Sequence, residues 1–388
     1  MEKTLFNIAL LLLTTKAGGL ICRKLKMPEV LGALLAGIVV GPMMLNLVQY
    51  DDSIKLLANL GVILLMFLAG LETDAAQFKE AGKSSLVIAV LGITLPFVLG
   101  TASAFLFFKN PMENLFIGVI LTATSVSITV ETLEELGKLN TRAGINILGA
   151  AVIDDVLSLV LISALLGVNN GGSGASLAVK MAGIGVFCLA GVLAVVFLPK
   201  FLNRWARNLK PGRALLTFTL AFALLAAGIA ESVGIAAITG AYLFGLLLSQ
   251  FTHKEFLVHN VKPISSGFLS LIFFASVGLE ASLSGFDLKM VFITIAMFLV
   301  AVAGKIIGCG AAARIFRMSR SEAAQIGAGM ISRGEVAIIT ANIGLQSHII
   351  TQEVFIPTIL VVLLTTVAAP PLLKLTFSHK FSKRVDGE

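Results

Sequence analysis

Apolar runs of about twenty residues follow one another along the whole of this chain, with only short polar breaks between them. Each run is long enough to cross a bilayer as an α-helix. Thirteen segments are expected, at 4–22, 29–47, 54–72, 84–108, 114–135, 142–168, 175–198, 213–231, 233–251, 256–280, 287–313, 321–345 and 350–375. Polar punctuation such as Lys109-Asn110-Pro111 and Lys210-Pro211-Gly212 separates them. Only 13% of the 388 residues are charged, against roughly 25% in a soluble domain. The sequence therefore specifies an all-α polytopic membrane protein, with no soluble domain left over. The first run, from Leu5 to Ile21, lacks a basic leader and a small-residue cleavage pattern, so it is expected to be a retained helix.

The Lys and Arg residues are unevenly shared between the two sides. Alternate connections and the C-terminal tail hold 21 of the 29, and the other side holds five. Loops that stay in the cytoplasm carry the excess of positive charge. The expected topology is accordingly an odd number of spans in the plasma membrane, with the N-terminus outside and the C-terminus cytoplasmic. The formal net charge of +7 is an orientation signal scattered over separate loops, and no nucleic-acid role follows from it. Cys22, Cys188 and Cys309 have no metal-site or disulfide spacing.

Three basic residues fall inside spans: Lys16, Lys305 and Arg333. Lys16 lies close enough to an interface for its ammonium to reach the head groups. The other two need internal partners. Span 6 supplies candidates in "GAAVIDDVLSLVLISAL", where Asp154 and Asp155 sit about 18 Å from the helix start, at mid-membrane depth. Each charge at that depth costs about 2.5 to 3.5 kcal/mol on insertion scales. Lys305 reaches roughly the same depth from span 11. Pairing one aspartate with Lys305 leaves the other as a site charge for a monovalent cation.

Two spans are poorly built as continuous helices. Span 5 carries "TATSVSIT", rich in hydroxyl and β-branched residues, and span 12 is interrupted by Ser332, Arg333, Gly334 and Glu335. The two interruptions lie seven spans apart. The same offset relates "EVLGALLAGIVVGP" to "IAAITGAYLFGLLLS" and "FLAGLETD" to "ASVGLEAS". An odd offset turns the second copy upside down, as in the inverted repeats of secondary transporters, whose broken helices hold ions near the midplane.

"VIDDV" on span 6, the lysine of "AGKIIG" on span 11, "TATSVS" on span 5 and "SRGEVA" on span 12 resemble the cation:proton antiporter-2 family, most of all its NapA-like and GerN-like sodium/proton antiporters. The similarity runs over essentially the whole chain. It implies the NhaA-like fold: thirteen transmembrane helices in two inverted-topology repeats with broken crossing helices. A panel of helices 1–3 (residues 1–83) and 8–10 (213–286) would form a homodimer. A core of helices 4–6 (84–174) and 11–13 (287–388) would move against it, with helix 7 (175–212) as linker.

By the same resemblance Asp155 is the cation- and proton-binding carboxylate and Asp154 the partner of Lys305. Thr124, Ser125, Ser127 and Ser332 are candidates for the ion shell, with Arg333 and Glu335 compensating charge at the second break. The transported species would be Na⁺ and H⁺, with Li⁺ and K⁺ as further candidates, and no cofactor is expected. The alternative within the family is a K⁺ efflux channel or K⁺/H⁺ efflux transporter. Such members carry Gln-Asp at the paired position and a large nucleotide-binding domain, neither of which is found here. No nucleophile and base are arranged for an enzyme.

Overall fold

The computed structural model describes residues 2–25, 27–169, 174–206, 211–279 and 288–378, and every regular element among them is helical. α1 (Glu2–Lys24) is followed by α2 (Glu29–Val40). α2 stops at Val40 instead of running to 47, because Pro42 forces the residue before it out of the helical region, and Gly41 is extended at φ −79°, ψ −178°. α3 (Asp52–Glu72) starts where Asp51 accepts a hydrogen bond from the Ile54 N–H. A single turn and a half, α4 (Ala75–Glu80), precedes α5 (Gly82–Ala104).

The expected span 5 is two helices, α6 (Pro111–Ile120) and α7 (Val126–Glu135). α6 opens with Asn110 as cap and proline at its first position, where the missing N–H costs nothing. α8 (Arg142–Asn169), α9 (Gly174–Ala206) and α10 (Arg213–Ser232) are long. α11 (Ala237–Leu248) is short because the chain before it turns through Gly234 at φ +86°, a conformation glycine adopts without strain.

α12 (Lys254–Ile264) and α13 (Ser270–Leu279) form one rod, joined by a π-turn at Ser265–Leu269. Pro263 has no N–H for the helical ladder, and the π-turn follows it directly. α14 (Leu288–Ile315) is unbroken. The expected span 12 is again two helices, α15 (Arg320–Gly329) and α16 (Glu335–Gln346), the first held by a capping box between Ser319 and Glu322. α17 (Gln352–Thr376) completes the chain.

Nine helices among the described residues are long and apolar enough to cross a membrane. α2, α6, α11 and Val336–Leu345 of α16 are apolar but short. The thirteen expected segments each coincide with a helix or a broken pair, so the difference lies in length, set by Gly41-Pro42, Gly234 and the two interruptions.

The helices pack as two groups. α1, α2, α3, α10, α11 and α13 touch one another, as do α5, α6, α8, α14, α15 and α17, while α9 lies against α8 and α11. Close approach inside the first group depends on missing side chains. A Cβ on Gly245 would sit 2.2 Å from the Phe67 carbonyl, and one on Gly70 would sit 2.2 Å from that of Tyr242, so α3 and α11 meet backbone to backbone.

Helix ends that the charge pattern assigns to one side do meet. Lys262 Nζ lies 2.5 Å from Glu134 and 3.3 Å from Glu72, and Asn140 Nδ2 donates to the Glu72 carbonyl. The Glu135 carboxylate accepts from the Glu29 and Val30 N–H groups at the start of α2. Lys16 pairs with Glu29 at 3.1 Å rather than simply extending to the interface. Cys22 and Cys309 are buried and free, and the side chain of Cys188 is outside the described set.

Candidate functional site

Two irregular stretches cross at the centre of the second helix group. The first, Leu121–Ser125, parts α6 from α7, and the second, Met330–Gly334, parts α15 from α16. Thr122 Oγ1 donates back to the Val119 carbonyl at 2.7 Å, the local competition that ends a helix at such residues. Ser125 N–H then donates to the Ser332 carbonyl at 2.7 Å, tying one stretch to the other. A Cβ on Gly334 would lie 2.6 Å from Ser125 Oγ, so the crossing admits only glycine there without displacement.

Buried backbone groups freed by the breaks need partners. α17 provides some of them: Arg333 N–H donates to Thr365 Oγ1 at 3.3 Å, and Thr366 Oγ1 donates to the Arg333 carbonyl at 2.6 Å. The Arg333 guanidinium donates to the carbonyls of Ala123, on the other stretch, and Ala301, on α14. It thus places positive charge near the C-terminal end of α6, where helix carbonyls leave partial negative charge. Arg333 is 1% exposed.

α8 passes beside this crossing and brings two carboxylates to it. Asp154 is fully buried, with Lys305 Nζ 3.1 and 3.3 Å from its two oxygens and Thr124 Oγ1 donating to Oδ2 at 2.5 Å. Lys305 is itself 0% exposed, so both charges are removed from water and neutralise one another. Asp155, one residue on, points elsewhere. Its Oδ2 accepts from Thr239 Oγ1, on α11 of the first helix group, at 3.0 Å. Asp155 also borders a cleft of about 350 Å³ whose wall includes Asn59 of α3, Glu231 in the last turn of α10, Gly234 between α10 and α11, and Thr340 of α16.

The adjacent carboxylates therefore occupy different environments. One is paired behind the crossing, while the other faces a cleft between the two helix groups. Carboxylate, hydroxyl and carbonyl oxygens suit a hard cation. Half-helix ends at this depth supply partial charges for holding it.

The sequence profile of the transmembrane sodium/hydrogen exchangers matches residues 8–377. The chain belongs to that family. This exchanger is 39% identical to the Na⁺/H⁺-K⁺ antiporter GerN of Bacillus cereus over 97% of its own length and 96% of GerN. It is 37% identical to the Na⁺/H⁺ antiporter of Enterococcus hirae over 95% and 96%. Its fold superposes on the sodium proton antiporter MjNhaP1 from Methanocaldococcus jannaschii with a TM-score of 0.73 at 16% identity, over the whole of both chains.

The exchanger brings most of the sequence-selected residues together, in roles that differ in detail. Thr124 bonds Asp154. Ser125 and Ser127 lie 3.2 Å apart through their hydroxyls, and Ser332 Oγ is buried with no hydrogen-bond partner among the described residues. The Arg333 guanidinium meets the carbonyls of Ala123 and Ala301 at the break. Glu335 opens α16, and its side chain lies outside the described set. Asp155, the carboxylate expected to be left over by the Lys305 pairing, accepts a hydrogen bond from Thr239. Thr239, Thr365 and Thr366 were invisible to a reading by motif. A faint signal for Thr239 exists in its place within "IAAITGAYLFG", the segment that resembles span 2.

Proposed function

We propose that the protein exchanges Na⁺ for H⁺ across the plasma membrane by alternating access, with Asp155 as the carboxylate for which the two ions compete. The observation that carries this reading is the separation of the pair: Asp154 is neutralised by Lys305 at 3.1 Å, while Asp155 borders the cleft. A loaded Asp155 then gives a site whose charge is balanced, and the site can be carried through the membrane at low cost. Thr124, Ser125, Ser127, Ser332 and backbone carbonyls at the crossing contribute oxygens near the ion. Arg333 and Glu335 balance charge at the second break.

Alternating access follows from thirteen membrane-crossing segments arranged as two inverted repeats. α2 and α11 have the same length, 12 residues each, and each follows a break at the end of its predecessor, which supports the repeat. Helices α5–α8 and α14–α17 form the moving core. Helices α1–α3 and α10–α13 form the panel, which also supplies the homodimer contact, and α9 links the halves. With the basic ends in the cytoplasm, the cleft at Glu231 and Gly234 opens to the outside. The Lys262–Glu134 and Asn140–Glu72 contacts close the inside. In an exchanger whose native cysteines are replaced, a cysteine at Lys109 is expected to react with an impermeant maleimide added outside, and one at Lys138 is not. The reverse pattern would overturn the orientation.

Purified protein in liposomes containing a pH-sensitive dye tests the function. Na⁺ added after an acid-inside gradient is imposed should dequench the dye with saturation, and Li⁺ and K⁺ are tested in the same way. K⁺ belongs in the series because the similar GerN is named for it. Ion movement that proceeds at full rate without proton counter-movement would identify a channel and refute the exchange.

A further inference from the structure

Asp155 belongs to the second helix group, yet it accepts a hydrogen bond from the first. Thr239 Oγ1 donates to Asp155 Oδ2 across 84 residues of sequence, with both residues nearly excluded from solvent, at 2% and 4% exposure. Thr239 lies in the first turn of α11, whose helix begins at Ala237. The carboxylate therefore meets a hydroxyl donor at the end of a helix where backbone N–H groups and the helix dipole favour negative charge. Ala236, Ala237 and Ile238 from the same end line the cleft beside it.

An exchanger has one requirement that a binding site alone does not meet. Its empty, negatively charged carrier must not cross, or Na⁺ would run down its gradient without moving protons. An anionic Asp155 has the most to gain from a hydroxyl donor and a helix N-terminus. A protonated or Na⁺-loaded Asp155 has much less to gain, because its charge is already satisfied. The same contact thus discriminates between empty and loaded carriers. It does so from the panel, so breaking it is a condition of movement.

Resting on the reading of Asp155 as the binding carboxylate, we propose that Thr239 is a positioning residue that docks the unloaded core on the panel through Asp155 and suppresses uncoupled return of the empty carrier. Among the described residues, the charged groups nearest the carboxylate are engaged elsewhere or carry its own sign. Asp154 on α8 is occupied by Lys305 from α14, Arg333 is engaged with carbonyls, and Glu231 at the cleft is exposed and repels it.

The test compares Thr239→Val, which keeps the side-chain shape and removes the hydroxyl, with Thr239→Ser, which keeps the hydroxyl. Radioactive Na⁺ flux and dye-reported proton flux are measured on the same liposomes across a pH series. The valine variant is expected to leak Na⁺ without proton movement roughly tenfold faster than the parent, since a hydrogen bond to a charged group is lost. Its exchange profile should also move roughly one pH unit to the alkaline side, because a less well-solvated carboxylate holds its proton more firmly. Thr239→Ser should restore both. A valine variant with the parent's coupling and pH profile overturns the docking role. So does equal loss of exchange in both variants, which would point to packing alone. Asp155→Asn is run alongside: if it still binds and exchanges Na⁺, the reading of the site itself has failed rather than the role of Thr239.

Discussion

Asp155→Asn is expected to reduce Na⁺-driven proton movement to the level of protein-free vesicles while leaving the protein folded and inserted. Asparagine has the shape of aspartate and can still accept from Thr239 Oγ1, which lies 3.0 Å from the carboxylate, so the packing around it is kept. What disappears is the charge that attracts a dehydrated Na⁺ and the oxygen that takes up a proton, and exchange needs both. Asp154→Asn should behave differently. It breaks the pairing with Lys305 and leaves a buried ammonium with a weaker acceptor, so turnover falls and its pH dependence moves, yet Na⁺ should still bind. Equal residual exchange in the two variants would contradict the division of labour between the carboxylates.

Lys305→Gln is expected to have the larger effect on stability. Removing one member of a fully buried ion pair leaves the other as an uncompensated charge, which costs about 3–5 kcal/mol. Asp154 is 0% exposed, and its remaining hydrogen-bond partner among the described residues is the Thr124 hydroxyl. The two neighbouring carboxylates would then share the depth without a cation, and uptake of a proton by the pair relieves the repulsion. The variant should therefore melt several degrees lower at alkaline pH, regain part of the loss as the pH falls, and show a transport profile moved to the alkaline side. A thermal-shift series across pH, combined with the dye assay, checks this. Unchanged melting and an unchanged profile would mean that the Lys305–Asp154 contact does not govern the site.

Much of this architecture is legible along the sequence because bilayer spanning is a local property. An apolar run of sufficient length marks a helix whatever it packs against, and α5, α8, α10, α14 and α17 lie close to their expected limits. The two breaks are legible for the same reason: "TATSVS" and "SRGE" disfavour helix by themselves. α2 is shorter than its apolar run, because apolar residues continue to Leu47 whereas Gly41-Pro42 ends the helix at Val40. The π-turn after Pro263 has a similar origin, a local change inside an otherwise helical run.

Partners across the fold are a different matter. Arg333 reaches a carbonyl 210 residues away, and a carbonyl belongs to every residue, so no side-chain pattern announces it. Thr239 is a single hydroxyl in an apolar stretch, indistinguishable there from one that bonds its own helix. Only the packing of α11 against α3, which Gly70 and Gly245 permit, brings it to Asp155.

The central claim is that one carboxylate serves both ions, and calorimetric titration of the purified protein with Na⁺ tests it most directly. The titration is run in two buffers of different ionisation enthalpy at a pH where Asp155 is partly protonated. Binding of Na⁺ should release protons, so that the apparent heat differs between the buffers. The release should vanish together with Na⁺ binding in Asp155→Asn, whereas Asp154→Asn retains binding. Na⁺ binding with the same heat in both buffers, or undiminished binding in Asp155→Asn, would contradict the claim.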